Sequence, residues 1–142
     1  MKKNIILISF LIFLFPAMDL IADNNIDTKI SIDKTNITIN FPDNIIFNIS
    51  GSSTEKIKSI NLSFKPGIGN SSVIQPLEFT QNENNNKFQA ILEWRTNTSE
   101  RYIPQGSVIE YHFNIKTNSE YNLTTKSETI TYLDPTQKWE NI

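Results

Sequence analysis

The chain has no cysteine among its 142 residues, which excludes a disulfide framework, a thiolate metal site and a lipid-anchored N-terminal Cys. Its single histidine, His112, excludes a zinc site built on two imidazoles and leaves one residue for any His-dependent triad. Four glycines are present, and none belongs to a phosphate-cradling loop or a dinucleotide fingerprint. Gly-x-Ser-x-Gly and His-Glu-x-x-His are missing as well. Charge is sparse and mixed: the formal net charge is −2, and Lys and Glu are scattered singly rather than in blocks. No nucleic-acid stripe or polybasic membrane patch is therefore expected.

One long apolar run exists, from Ile5 to Phe15, broken only by Ser9 and preceded by Lys2 and Lys3. That order is the pattern of a secretory signal peptide, with residues 1–22 as the leader and Leu20 and Ala22 at the positions read by the peptidase. The run falls short of a span of ~20 residues, although Pro16 to Ile21 could extend it into an uncleaved N-terminal anchor. Either way the remainder is expected outside the cytoplasm, in the extracellular space or the cell envelope. Without the leader the chain carries 11 basic and 14 acidic groups, a net charge of −3. About 120 residues remain, the size of one domain with one core.

From residue 28 onward the apolar residues alternate with period two, and no helical periodicity of comparable strength appears. The expectation is an all-β fold, a single immunoglobulin- or fibronectin-III-like sandwich of seven or eight strands over residues 26–133, with 134–142 as a C-terminal linker or junction. A first pair of strands is expected at Lys29 to Ile32 and Ile37 to Phe41 around a turn at Asp33 to Asn36. Pro42-Asp43-Asn44 breaks the ladder, and Ile45 to Ser50 follows with Phe47 and Ile49 inward. Gly51 to Thr54 reads as a loop. Ile60, Leu62 and Phe64 mark a half-buried strand, and Val73 to Phe79 a weaker one whose Pro76 belongs at an edge or bulge. Phe88, Ala90, Leu92 and Trp94 form a second inward face; Ile109, Tyr111, Phe113 and Ile115 form a third. The last strand is expected from about Thr124 to Tyr132.

Few residues offer chemistry. His112 lies on the polar phase of its strand beside Glu110 and Asn114, so a Glu/His base is conceivable and a solvated surface histidine is the plainer reading. Asp27, Asp33, Asp43 and Asp134 are candidates for a calcium ion, but they are spread singly and without an Asp-x-Asp-x-Asp-Gly loop. Turn-forming aspartates explain them as well. Trp94, Trp139, Tyr102 and Tyr121 could serve carbohydrate or peptide binding. Trp94 is in phase with Phe88 and Leu92 and reads as core, whereas Trp139 follows Asp134-Pro135 and either folds back onto the barrel end or belongs to a junction, the junction being the favoured reading. Six Asn-x-Ser/Thr triplets begin at Asn36, Asn48, Asn61, Asn70, Asn97 and Asn122, a number that this Asn-rich composition produces by chance. No catalytic, cofactor-binding or metal-binding residue is assigned, and no cofactor is expected.

The stretch Arg101 to Phe113, RYIPQGSVIEYHF, and the segment Tyr132 to Trp139, YLDPTQKW, resemble the N-terminal β-sandwich of secreted peptidase MA-like proteins, which are gluzincin-type metallopeptidase relatives of bacteria. Pro104, Gly106, Tyr111, Tyr132, Asp134 and Trp139 carry the match, and Leu62-Ser63-Phe64 fits the strand before that family's variable loop. The resemblance implies a non-catalytic leader domain, amputated or stand-alone, that would space a metallopeptidase from the envelope or present its substrate; the sequence stops at Ile142, where that family's catalytic domain would begin, and holds no zinc-binding helix, so proteolytic activity does not carry over. A stand-alone exported adhesion or ligand-binding domain is the other reading. Its contacts would be made by Pro66 to Ser72 or Gln81 to Asn86, against a glycan or a protein of the envelope.

Overall fold

The computed structural model describes residues 29–66, 71–84, 86–99, 101–134 and 136. The leader expected at 1–22, Asp27 and Trp139 lie outside them. Nine strands follow one another: β1 (Ile30–Asn40), β2 (Asn44–Ser53), β3 (Ile57–Lys65), β4 (Val73–Pro76), β5 (Glu78–Gln81), β6 (Lys87–Arg95), β7 (Val108–Thr117), β8 (Asn122–Thr124) and β9 (Glu128–Thr131). They form two antiparallel sheets, the first ordered β1-β2-β6-β5 and the second β4-β3-β7-β8 with β9 also on β7. The all-β sandwich read from the sequence is what the chain adopts.

Alternation explains the layers. Successive side chains of a strand point to opposite faces, so a strand with every second residue apolar can bury only one side. Phe47 and Ile49 on β2, Ile60, Leu62 and Phe64 on β3, Phe88, Ala90 and Trp94 on β6, and Ile109, Tyr111, Phe113 and Ile115 on β7 all point between the sheets and are buried. Rings meet across the gap: Phe47 lies 5.6 Å from Phe64 and 5.7 Å from Tyr111, and Trp94 stands edge-on to Phe64 at 4.8 Å. Burying each such side chain contributes about 1.5–3 kcal/mol, which lets the core stand without disulfides.

The structure corrects the sequence reading at four places. Asp33 to Asn36 is no turn: β1 runs through, with a register shift between Ile32 and Lys34. The apolar phase had changed from even positions (Ile30, Ile32) to odd ones (Ile37, Ile39), and a bulge makes that change as well as a turn does. Gly51 is not in a loop but inside β2, facing inward. A Cβ there would stand 2.2 Å from the Ser31 carbonyl oxygen and 2.8 Å from Cζ of Phe88, so this glycine answers to close approach rather than to a turn.

Val73 to Phe79 is divided between the sheets. β4 pairs with β3, β5 pairs with β6, and the buried Leu77 carries the chain across, its N–H bonded to the Ile60 carbonyl at 2.8 Å. Pro76 ends the edge strand, where its missing N–H costs nothing. The last strand is likewise two: Asn114 faces Thr124 while Tyr111 faces Glu128, so three steps on β7 oppose four on the edge. Thr125 fills the irregularity, donating its N–H to the Phe113 carbonyl and accepting the Phe113 N–H on Oγ1, both at 2.9 Å. The edges on this side of the sandwich, β1 and β8–β9, thus each carry a bulge with a lysine beside it, Lys34 and Lys126, which blunts them against further strand pairing.

Candidate ligand-binding face

The outer face of the first sheet is built by register. Lys34 on β1 lies opposite Ser50 on β2, Ser50 opposite Gln89 on β6, and Gln89 opposite Thr80 on β5. The neighbouring row is Asn36, Asn48, Ile91 and Glu78. Each of these residues sits on the outward phase of a strand whose other phase is committed to the core. The β1 bulge adds Asp33, which becomes exposed next to Lys34 and accepts an ion pair from Lys87 of β6 at 2.7 Å, across the intervening strand.

Ser50 is the short side chain between longer neighbours on β1 and β6, and the face is hollow around it. A recess of about 530 Å³ is bordered by Asp33, Ser50, Thr80, Asn82, Lys87 and Gln89, with Gly51, Gln81 and Phe88 also lining it. A second, of about 250 Å³, is bordered by Lys34, Asn36, Asn48, Ser50 and Gln89. Ser50 and Gln89 belong to both. The side chains of Asn48, Ser50, Thr80 and Gln89 make no hydrogen bond to another described residue, so their donors and acceptors face solvent. Asp33 and Lys87 neutralise each other. What the face can do chemically is hydrogen-bond, with amides and hydroxyls held on rigid strands; it offers no nucleophile with an adjacent base.

The residues singled out from the sequence lie elsewhere or serve the fold. His112 is on the outer face of the second sheet, opposite Ser63 and flanked by Glu110 and Asn114. Glu110 is engaged by Lys65 at 2.9 Å, whose hydrogen bond and charge hold its carboxyl below the usual carboxylate range. Among the described residues no three His, Asp or Glu side chains gather as a metal site. Asp43 accepts the Asn97 amide at 3.3 Å, and Asp134 accepts the N–H and hydroxyl of Thr136 at 2.8 and 2.7 Å, which is how aspartates shape turns. Trp94 is buried, with the Arg101 guanidinium 4.5 Å over its ring; Tyr121 is half-buried beneath Lys29 at 5.7 Å. Tyr102 is exposed in the loop after β6.

Among the described residues that carry the peptidase-leader resemblance, Gly106, Tyr111 and Tyr132 serve the fold. Gly106 holds a positive φ of 86°, open to glycine and costly to other residues. Tyr111 and Tyr132 are buried; burial and the Glu128 carboxylate, 2.7 Å from its hydroxyl, push the Tyr111 phenol up. Of the loops expected to bind, only Gln81 and Asn82 border the recess, and residues 67–70 lie outside the described ones. The strand face was missed because its signal, uncharged polar residues on the outward phases of β1, β2 and β6, says nothing until strand neighbours are known.

No protein-family model and no curated protein matches the chain. Two solved structures align with it. A bromine derivative of BhCBM56 is 15% identical, covering 68% of this chain and 88% of that one with a TM-score of 0.39. The carbohydrate-binding module family 56 beta-1,3-glucan binding domain is 12% identical, covering 68% and 95% with a TM-score of 0.38. Likeness at this level carries no argument about a ligand, which rests on the face itself.

Proposed function

We propose that this chain is a non-catalytic binding module that holds a polyhydroxylated ligand, a glycan, against the outer face of its first sheet. The observation that carries the reading is the pair of recesses meeting at Ser50 and Gln89, bordered by the amides of Asn48 and Gln89 and the hydroxyls of Ser50 and Thr80, which bond to no other described residue. Sugar hydroxyls are both donors and acceptors, and side-chain amides and hydroxyls offer the same two roles in a fixed geometry. The export expected from residues 1–22 would bring such a face to envelope or extracellular glycans. A place ahead of a secreted peptidase, implied by Pro104, Gly106 and Tyr132, is a setting in which the same module would tether its neighbour to a surface.

Affinity electrophoresis of the purified protein through soluble glycans, a β-1,3-glucan among them, with pull-downs on insoluble cell-wall polysaccharides, tests the reading. Retardation that disappears in Gln89→Ala and Asn48→Ala, with their melting unchanged, is expected. Absence of retention on every polysaccharide would remove it.

A further inference from the structure

The two recesses share Ser50 and Gln89 as border residues, and residue 50 is the short side chain where they meet. Ser50 borders both, between Lys34 on one side and Gln89 on the other, and any longer side chain at that outward position would stand in the passage. Taken together as one channel, they extend from Lys34, Asn36 and Asn48 at the β1–β2 end to Thr80 and Asn82 at the β5 end. It crosses four strands. Three interstrand spacings of roughly 4.8 Å make that about 14 Å, longer than a single sugar ring needs.

Resting on the glycan reading of this face, we infer that the ligand is the interior of an extended polysaccharide chain laid across the strands, and that Ser50 is the residue that sets this preference. A pocket for a chain end would need a wall at one end and a group to recognise the terminus. Here the polar groups are distributed along the length instead: Asn48 in one recess, Thr80 in the other and Gln89 shared. The Asp33–Lys87 ion pair borders the first recess from the β1 bulge to β6, and Lys34 is the charged side chain that borders the second. Both half-sites must be filled for full affinity.

The test is isothermal titration of the full chain with β-1,3-linked and, in parallel, β-1,4-linked gluco-oligosaccharides, from the monomer to the hexamer and the polymer. Affinity is expected to rise with length, reach a plateau once the channel is filled, and be unaffected by chemical reduction of the ligand's terminus. Ser50→Gln, an exposed-face change in a strand, is expected to weaken the hexamer about tenfold, the loss of one or two net hydrogen bonds, and to flatten the rise of affinity with ligand length. Asn48→Ala and Thr80→Ala would each weaken the hexamer, and only one of them the shortest oligomer. A monomer bound as tightly as the hexamer, or hexamer binding indifferent to Ser50→Gln with the variant folded, overturns the inference and leaves the glycan reading standing. Failure of every length and the polymer in both series to bind the wild-type chain removes both.

Discussion

The hydroxyls of Thr96 and Tyr132 lie 2.9 Å apart, and both reach the carbonyl oxygen of Pro42, at 2.6 and 3.0 Å. Three segments meet in this contact: the turn between β1 and β2, the exit of β6, and the chain just after β9. It ties the first sheet to the last strand of the second at one end of the sandwich.

Tyr132→Phe keeps the ring, which packs 5.2 Å from Phe41, and removes the hydroxyl. Because Thr96 still donates to Pro42, no carbonyl is orphaned, and the expected cost is about 1 kcal/mol, that of one net hydrogen bond. Thr96→Val and Tyr132→Phe together should cost more than the sum of the two, since the Pro42 oxygen then loses both partners. Urea denaturation of the four proteins of this cycle measures it.

Gly51→Ala should be strongly destabilising although it adds a single carbon. The added Cβ meets a main-chain oxygen at 2.2 Å, so β1 must part from β2 rather than a side chain swing away. A loss of ~3 kcal/mol, at the upper end of overpacking costs, is expected in the urea midpoint. An unchanged midpoint would contradict the register of these two strands.

Acid should loosen the opposite end of the molecule first. Glu55 is held by Lys29 at 2.6 Å, by Ser119 and by Thr117 at 2.8 Å, and these hydrogen bonds bring its carboxyl from 4.5 to about 2. Glu120, bonded to Lys116 and to Lys58, is likewise brought to about 2. A folded-state value below the unfolded one means stability that is fully present above the unfolded value and lost as pH falls from about 4.5 toward 2. Both groups face solvent, so salt should shrink the effect. Glu55→Gln is expected to flatten the fall in stability between about pH 5 and pH 2, followed by denaturant titration at each pH.

Gln89→Ala should leave folding alone. Its side chain is exposed on β6 and bonded to no described residue, so the melting midpoint should shift by the equivalent of no more than about 0.5 kcal/mol. Loss of glycan retention without loss of stability would separate a ligand-contacting residue from a structural one; parallel loss of both would not support the proposed face.

Legibility was uneven, and the unevenness has physical causes. The inward sets Phe47–Ile49, Ile60–Leu62–Phe64 and Ile109–Tyr111–Phe113–Ile115 were readable because they alternate strictly, and alternation is a local property of an extended chain. The β1 bulge, the partition of Val73 to Phe79 and the break at Thr125 were misread because each is decided by a neighbouring strand. Pro76 was legible as an edge residue, since proline lacks the ladder donor wherever it stands. His112, Asp33 and Trp94 drew attention by their chemical type, whereas Ser50 and Gln89 carry no signal of their own.

By itself, then, the sequence determined that the chain forms strands, which phase of each strand is apolar, and that Trp94 faces the core. Those follow from side-chain chemistry and period two alone. Only the tertiary structure decided that β2 lies between β1 and β6, which puts Ser50 beside Gln89 although 39 positions separate them in the chain. Long-range pairing sets that neighbourhood, and a surface hollow made by one short side chain among longer ones exists only after the pairing is made.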